Sequence, residues 1–331
     1  VGSLFPSWTP SPLAPAGKIS GSPGSGESSI NGVRVFKFTV VTHGGLYILH
    51  TIYAAFTRTR AARNFSRDTL REKVVPTYMG LIKQCDDQMG RLLQFLEETD
   101  RLKDTMIIIT SDHGDYLGDH WLGEKDLFHK QSAQIPLIIY DPRKEADATR
   151  GQVSDALVEL IDVPATIIDA HAGTVPDHIV EGHSLCPILH GQPCQGRDYV
   201  ISEYDYAKHP IARNFSVSLR DARMIMVADK EWKLVHCLGG FRPMLFNLHN
   251  DPLELHDLGD DSAYGKVRSM MMEKLYGWSL RTAQRVTMSE EELLAARQTS
   301  ARRGIIIGAA DASEVGVSRY VGSVPKDCAD L

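Results

Sequence analysis

The chain has 331 residues, and its 43% apolar and 24% charged composition lies near the globular average, which excludes collagen-like and wholly disordered classes. A chain of this length can bury a sizeable core in one large domain or two ordinary ones. Its 36 basic and 42 acidic residues sum to −6, a balance that gives no support to nucleic-acid binding, which needs a basic stripe.

Residues 1–29 contain 5 Pro, 5 Gly and 8 Ser, a composition that cannot offset its chain entropy by burial, so this stretch is expected to be disordered. From Phe38 to Phe56 run 19 residues without a formal charge, the length of a membrane span. Two histidines, three threonines and Gly44-Gly45 dilute that run, and Val33, Val35, Val40 and Val41 favour strand, so a soluble β-turn-β piece and no membrane partner are expected.

From Val74 the apolar positions Tyr78, Leu81, Ile82, Cys85, Met89, Leu92, Leu93 and Leu96 recur at helical spacing, which predicts a long amphipathic helix. Thr105–Thr110 is rich in β-branched residues and predicts a strand buried on both faces. Helix followed by buried strand implies an α/β core. Ile135–Tyr140 and Ala156–Val158 are expected to continue the sheet, with a short helix capped by Asp162, Pro164 in its first turn and Gly173 beyond its end. After Gly196 the runs 199–204, 223–228, 233–237 and 244–248 predict an antiparallel sheet, and 264–280 and 289–303 predict helices, the first with Met270, Met271, Leu275 and Trp278 on one packing side.

Five cysteines, Cys85, Cys186, Cys194, Cys237 and Cys328, are an odd and scattered set, which suggests no disulfide framework and a reduced, cytoplasmic compartment. The first residues lack the basic-then-apolar order of a signal peptide, so the tripeptides 64–66 and 214–216 are expected to be unused as glycosylation sites.

The stretch from Thr110 to Lys125 carries the chemistry. Asp112 and His113 follow the predicted strand, where a carboxylate beside an imidazole can bind a divalent cation through oxygen and nitrogen. Gly114 allows a tight turn, Gly118 and Gly123 give the loop close turns, and Lys125 can return a positive charge to an anionic substrate. The bland alternative for an isolated Asp-His-Gly is a capping Asp112 with a solvated His113.

The longer pattern, Ser111-Asp-His-Gly followed by Leu117-Gly-Asp-His and Gly123-x-Lys125, resembles the C-terminal signature of the sulfatase branch of the alkaline phosphatase superfamily. Pro76–Ile82, Asp86-Asp87 and Pro136–Asp141 look most like the phosphonate monoester hydrolase/arylsulfatase family, and Leu245–Glu254 with Asp257-Leu258 is similar to its Asn-Asp-Pro-x-Glu segment. The resemblance covers about residues 65–305. It implies an α/β fold: a truncated mixed sheet of alkaline phosphatase type flanked by helices, with a smaller C-terminal antiparallel sheet and a helical tail. The expected division is 1–60 non-matching, 61–195 α/β core and 196–331 small subdomain and tail. It also implies that Asp112 and His113 are metal ligands for Mn²⁺, Ca²⁺ or Mg²⁺, and that Lys125 contacts the non-bridging oxygens of a small phosphonate, phosphate or sulfate ester.

Members of that family carry a first metal-binding Asp and a Cys-x-Pro-x-Arg or Ser-x-Pro-x-Arg nucleophile motif in their N-terminal half; neither stands in this sequence. The expected activity is ester hydrolysis, incomplete as the chain stands. Two alternatives accompany it: a two-metal phosphodiesterase using Asp112, His113 and His183, and a non-catalytic relic that binds or self-associates. Among the other histidines, His50 has no matching context, His120 is read as a support of the site or a solvated loop residue, and His129 as a shaper of the substrate mouth. Glu203–Tyr206 is read as an acidic strand end at the surface.

Overall fold

The computed structural model describes residues 50–280, apart from 66, 176–179 and 195, together with residue 295 and the backbone of four strands between Ser28 and Leu49. The expectations for 1–27 and for the helix 289–303, Ala295 aside, lie outside the described residues. Val1–Arg285 and Val286–Leu331 form separate units, and the description below concerns the first.

Strands β1 (Ser28–Ile30) and β2 (Val33–Val35) form one antiparallel pair, and β3 (Phe38–Thr42) and β4 (Gly45–Leu49) another, in register Phe38↔Leu49 to Thr42↔Gly45. The uncharged run thus holds an antiparallel strand pair followed by a buried helix, α1 (Thr51–Phe56). His50 caps α1, accepting the Ile52 N–H at Nδ1 over 3.3 Å. No helix among the described residues is long and apolar enough to cross a membrane.

Helix α2 (Arg60–Phe65) precedes α3 (Asp68–Glu98), which starts six residues before the predicted Val74. Pro76 therefore lies inside α3, where it forfeits one backbone bond that the flanking turns outweigh. The helix ends on Asp100, in the left-handed region at φ 56°, with Arg101 N–H returning to Leu96 O at 2.8 Å. The amphipathic pattern holds but its burial does not: no α3 residue is buried, and Leu81, Leu92 and Phe95 are each more than half exposed.

β5 (Ile107–Thr110) pairs antiparallel with β6 (Leu137–Tyr140), and α4 (Lys130–Ala133) lies between them in sequence. Both strands are half-buried, which corrects the expectation of full burial on two faces; an apolar run specifies neither pairing direction nor how many layers cover it. Ala156–Val158 is not a strand. The neighbouring Glu159 carboxylate instead accepts the Ile201 N–H at 2.6 Å and pairs with Arg197. Asp162 opens α5 (Asp162–Ala170) and accepts the backbone N–H groups of Glu159 and His183 at 2.8 and 2.7 Å, while Gly173 N–H closes the far end on Ile168 O. A short α6 (Cys186–Leu189) follows.

β7 (Val200–Asp205), α7 (Pro210–Asn214), β8 (Arg223–Ala228), β9 (Trp232–Cys237) and β10 (Met244–Asn247) follow, and their strands form one antiparallel sheet in the order β10-β9-β8-β7. Helix α8 (Gly265–Ser279) lays Met271, Leu275 and Trp278 on Val227, Trp232, Leu234 and Leu245. Met270, expected on that side, is exposed.

A buried polar cluster joins this sheet to the residues that follow β5. His120 and His129 stack with ring centroids 3.7 Å apart, Tyr116 Oη contacts His129 Nδ1 at 3.1 Å, and Tyr53 meets His129 edge-on. His120 is therefore no solvated loop residue and His129 no rim residue. Burial, then the Lys233 cation, pulls His120 down to about 4; burial, then His120 and Lys233, holds His129 well below its ordinary range. Burial and Arg242 pull His50 down to about 3.

Two outcomes test this account. Leu234→Ala, in the packed sheet, is expected to cost about 2–5 kcal/mol in denaturant unfolding, and Leu92→Ala on exposed α3 within about 0.5 kcal/mol. The lowered histidines stay neutral when folded, so below pH ~6.5 the unfolded chain takes up protons the folded one refuses. Their stabilisation is complete above pH 6.5 and is lost as the pH falls toward 4, at about 1.4 kcal/mol per unit for each. Urea unfolding at pH 7, 6 and 5 measures the slope, and His120→Gln should flatten it; a slope unchanged by that substitution would contradict the assignment.

Candidate functional site

Asp112 and His113 stand just past the end of β5, where the chain leaves the strand pair. Asp112 Oδ1 accepts the His113 N–H at 3.0 Å, which leaves Oδ2 directed at His113 Nε2, 3.3 Å away. His113 Nδ1 lies 2.7 Å from Gly114 O. The Gly114 carbonyl and the Asp112 carboxylate both only accept, so each ring nitrogen of His113 faces an acceptor, Nδ1 at the shorter distance. Gly114 is required by space: a Cβ there would meet Gln131 O at 1.9 Å.

A carboxylate oxygen beside an imidazole nitrogen, both open to solvent, are donor types that suit a divalent cation. They supply two donors, and among the described residues no group of three His, Cys, Asp or Glu is placed to hold an ion. His183 does not join them. Its backbone N–H is engaged by Asp162, and its side chain is exposed. His50 is likewise elsewhere, buried against Arg242 O at 2.9 Å.

Lys125 reaches this end of the strand pair through Ser132. Gly114 N–H donates to Ser132 O at 2.9 Å, and Ser132 Oγ donates to Lys125 O. One residue of α4 thus holds the backbone beside His113 and the backbone of Lys125, whose side chain is exposed. The loop leading to it is strained: Leu117, His120, Trp121, Glu124 and Leu127 all have φ between 48° and 79°. Non-glycine residues persist there only when their surroundings over-determine them. Tyr116 N–H to Glu124 O and Gly118 N–H to Leu122 O, both 2.9 Å, close the loop on itself. Gln131 Nε2 donates to Asp119 Oδ2 at 3.1 Å, and burial raises the Asp119 carboxyl above its ordinary range.

The sequence pattern misses Tyr204, whose hydroxyl donates to Asp126 Oδ1 at 2.6 Å and so fastens β7 beside Lys125. Glu203 pairs with Arg223, while Tyr206, expected at the surface, is buried. Nothing local in the sequence links residues 78 positions apart.

A family model described as Sulfatase matches residues 38–174, and one described as N-sulphoglucosamine sulphohydrolase, C-terminal, matches 118–281. The chain is 35% identical over 213 residues to the multifunctional alkaline phosphatase superfamily protein PehA of Trinickia caryophylli, covering 63% of this chain and 41% of that protein. An arylsulfatase of Clostridium perfringens is 31% identical over 204 residues, covering 60% and 40%. The crystal structure of the phosphonate monoester hydrolase of Agrobacterium radiobacter matches with TM-score 0.56 and 34% identity over 60% of this chain and 40% of that one. The phosphonate monoester hydrolase from Silicibacter pomeroyi matches with TM-score 0.64 and 27% identity over 69% and 47%. The chain spans about two fifths of the length of the first two relatives. The two overlapping family models, these relatives and the Asp112-His113 turn agree, and together they support the sulfatase branch of the alkaline phosphatase superfamily for this chain.

Proposed function

We propose that this chain carries the metal- and anion-binding part of a sulfatase-like hydrolase of small sulfate or phosphonate esters. The observation that supports it is that Ser132 ties the backbone beside His113 to the backbone of Lys125, all within the residues that the Sulfatase model matches. Asp112 and His113 would hold a divalent cation, Mn²⁺, Ca²⁺ or Mg²⁺, which when bound supplies Lewis-acid polarisation of the ester oxygens.

The chain's own groups do the rest of what these residues offer. The Gly114 carbonyl engages His113 Nδ1 and so orients the ring with Nε2 beside the Asp112 carboxylate, the nitrogen left to face a cation. The Lys125 ammonium contacts non-bridging oxygens and offsets charge that builds as the leaving group departs. The strained loop fixes the lysine's backbone in advance, which spares that cost at binding. The 331 residues contain neither Cys-x-Pro-x-Arg nor Ser-x-Pro-x-Arg, so the covalent nucleophile of such an enzyme is not among them. Free Cys85, Cys186, Cys194 and Cys237 suit the reducing, cytoplasmic setting this reading proposes.

Mn²⁺ is expected to bind weakly and to broaden the Asp112 and His113 resonances, with Asp112→Ala and His113→Ala each weakening binding about tenfold or more. Lys125→Ala should weaken inorganic sulfate binding while leaving Mn²⁺ binding intact. Aryl sulfates and aryl phosphonate monoesters should turn over no faster than in the Asp112→Ala control. Mn²⁺ binding indifferent to both ligand substitutions would sink the reading.

A further inference from the structure

Glu254 is the last residue of the Asn250-Asp-Pro-Leu-Glu254 segment after β10, 2% exposed, and carries a carboxylate that no part of the chemistry above uses. Its Oε2 accepts the N–H of Lys130, the first residue of α4, at 2.6 Å across 124 positions of sequence. Its Oε1 pairs with Lys233 Nζ, and that ammonium also donates to Phe128 O at 2.9 Å. Both charges are buried, at 1% and 8% side-chain exposure. The carboxylate and its partner therefore grip the chain at 128 and at 130, two residues before the serine that ties Gly114 to Lys125.

The backbone around Glu254 is built to aim this side chain. Glu254 itself sits at φ 54°, a conformation that suits glycine. It is held there by Glu254 N–H to Asp251 O at 2.9 Å, Asp251 N–H to Asn247 O at 2.8 Å and His256 N–H to Asp251 Oδ2 at 2.7 Å. Strain kept at a position whose side chain is buried and fully directed indicates that the direction matters.

We propose that Glu254 is a positioning residue: by accepting the Lys130 N–H it sets the 128–132 segment, and through Ser132 the relative placement of the Asp112-His113 turn and Lys125. Its meaning for catalysis rests on the roles proposed above for those three residues. Its effect on the backbone does not, so the test below stands even if Lys125 binds no anion.

Removing one member of a buried ion pair leaves the other charge unpaired, so both are replaced together. Glu254→Gln with Lys233→Met keeps an oxygen that accepts the Lys130 N–H; Glu254→Met with Lys233→Met removes it. Amide hydrogen exchange of Gly114 and Tyr116 is expected to be about tenfold faster in the second protein than in the first, with β8 and β9 amides alike within about twofold. Rescue by glutamine, confined to the site, is what a merely structural role would not produce. Equal exchange at Gly114 and Tyr116 in the two proteins would overturn the proposal, as would equal acceleration throughout β8 and β9. Should the methionine pair not fold, Glu254→Asp with Lys233→Met, whose carboxylate stops one methylene short, takes its place with the same readout.

Discussion

Ser132 is the residue on which the site turns. Its carbonyl accepts the Gly114 N–H and its hydroxyl donates to the Lys125 carbonyl, so the exit of β5 and the end of a long loop share one anchor. Each bond alone contributes about 1 kcal/mol, a small figure against the entropy of a loop of this length. Their value lies in geometry. A strand end directs Asp112 and His113, and a fixed second point ties the Lys125 backbone to the same segment.

Residues 117–127 run against ordinary backbone preference five times, and the ring of His120, one of the five, stacks on that of His129. Imidazoles suit that place because they are flat enough to stack and polar enough to satisfy Tyr116, and neutral they bear burial at little cost. An aliphatic pair would fill the space without taking the tyrosine hydroxyl. A surrounding that forces neutrality on these rings is also what makes the arrangement rigid near neutral pH.

Much of this was legible beforehand. β8 and β10 stand within a residue of the runs that predict them, because short apolar stretches bounded by Asp229-Lys230 and Gly239-Gly240 leave little else to form. The turn after β5 was legible through Gly114, which the approach of Gln131 O explains. Other features have no local sign. Ile107–Ile109 says strand but not which neighbour it meets or in which direction, and the apolar stripe of α3 says amphipathic without saying that this unit leaves it open. His120, His129, Glu254 and Lys233 look like surface residues because polar side chains usually are; only their mutual satisfaction, across more than a hundred positions in two of the bonds, puts them inside.

The sequence distance between Glu254 and Lys130 bears on the order in which the molecule assembles. The β7–β10 meander is made of sequence neighbours, its longest connection being the 17 residues between Asp205 and Arg223, whereas the Lys130–Glu254 bond closes a loop of 124 residues. Loop closure grows costlier with length, by about 0.6 kcal/mol for each doubling, and the cost falls due before the contact gives anything back. The meander therefore collects its contacts early, and the link to the Asp112-His113 turn comes late. In unfolding the order reverses: the site comes apart while the sheet that braces it is still whole.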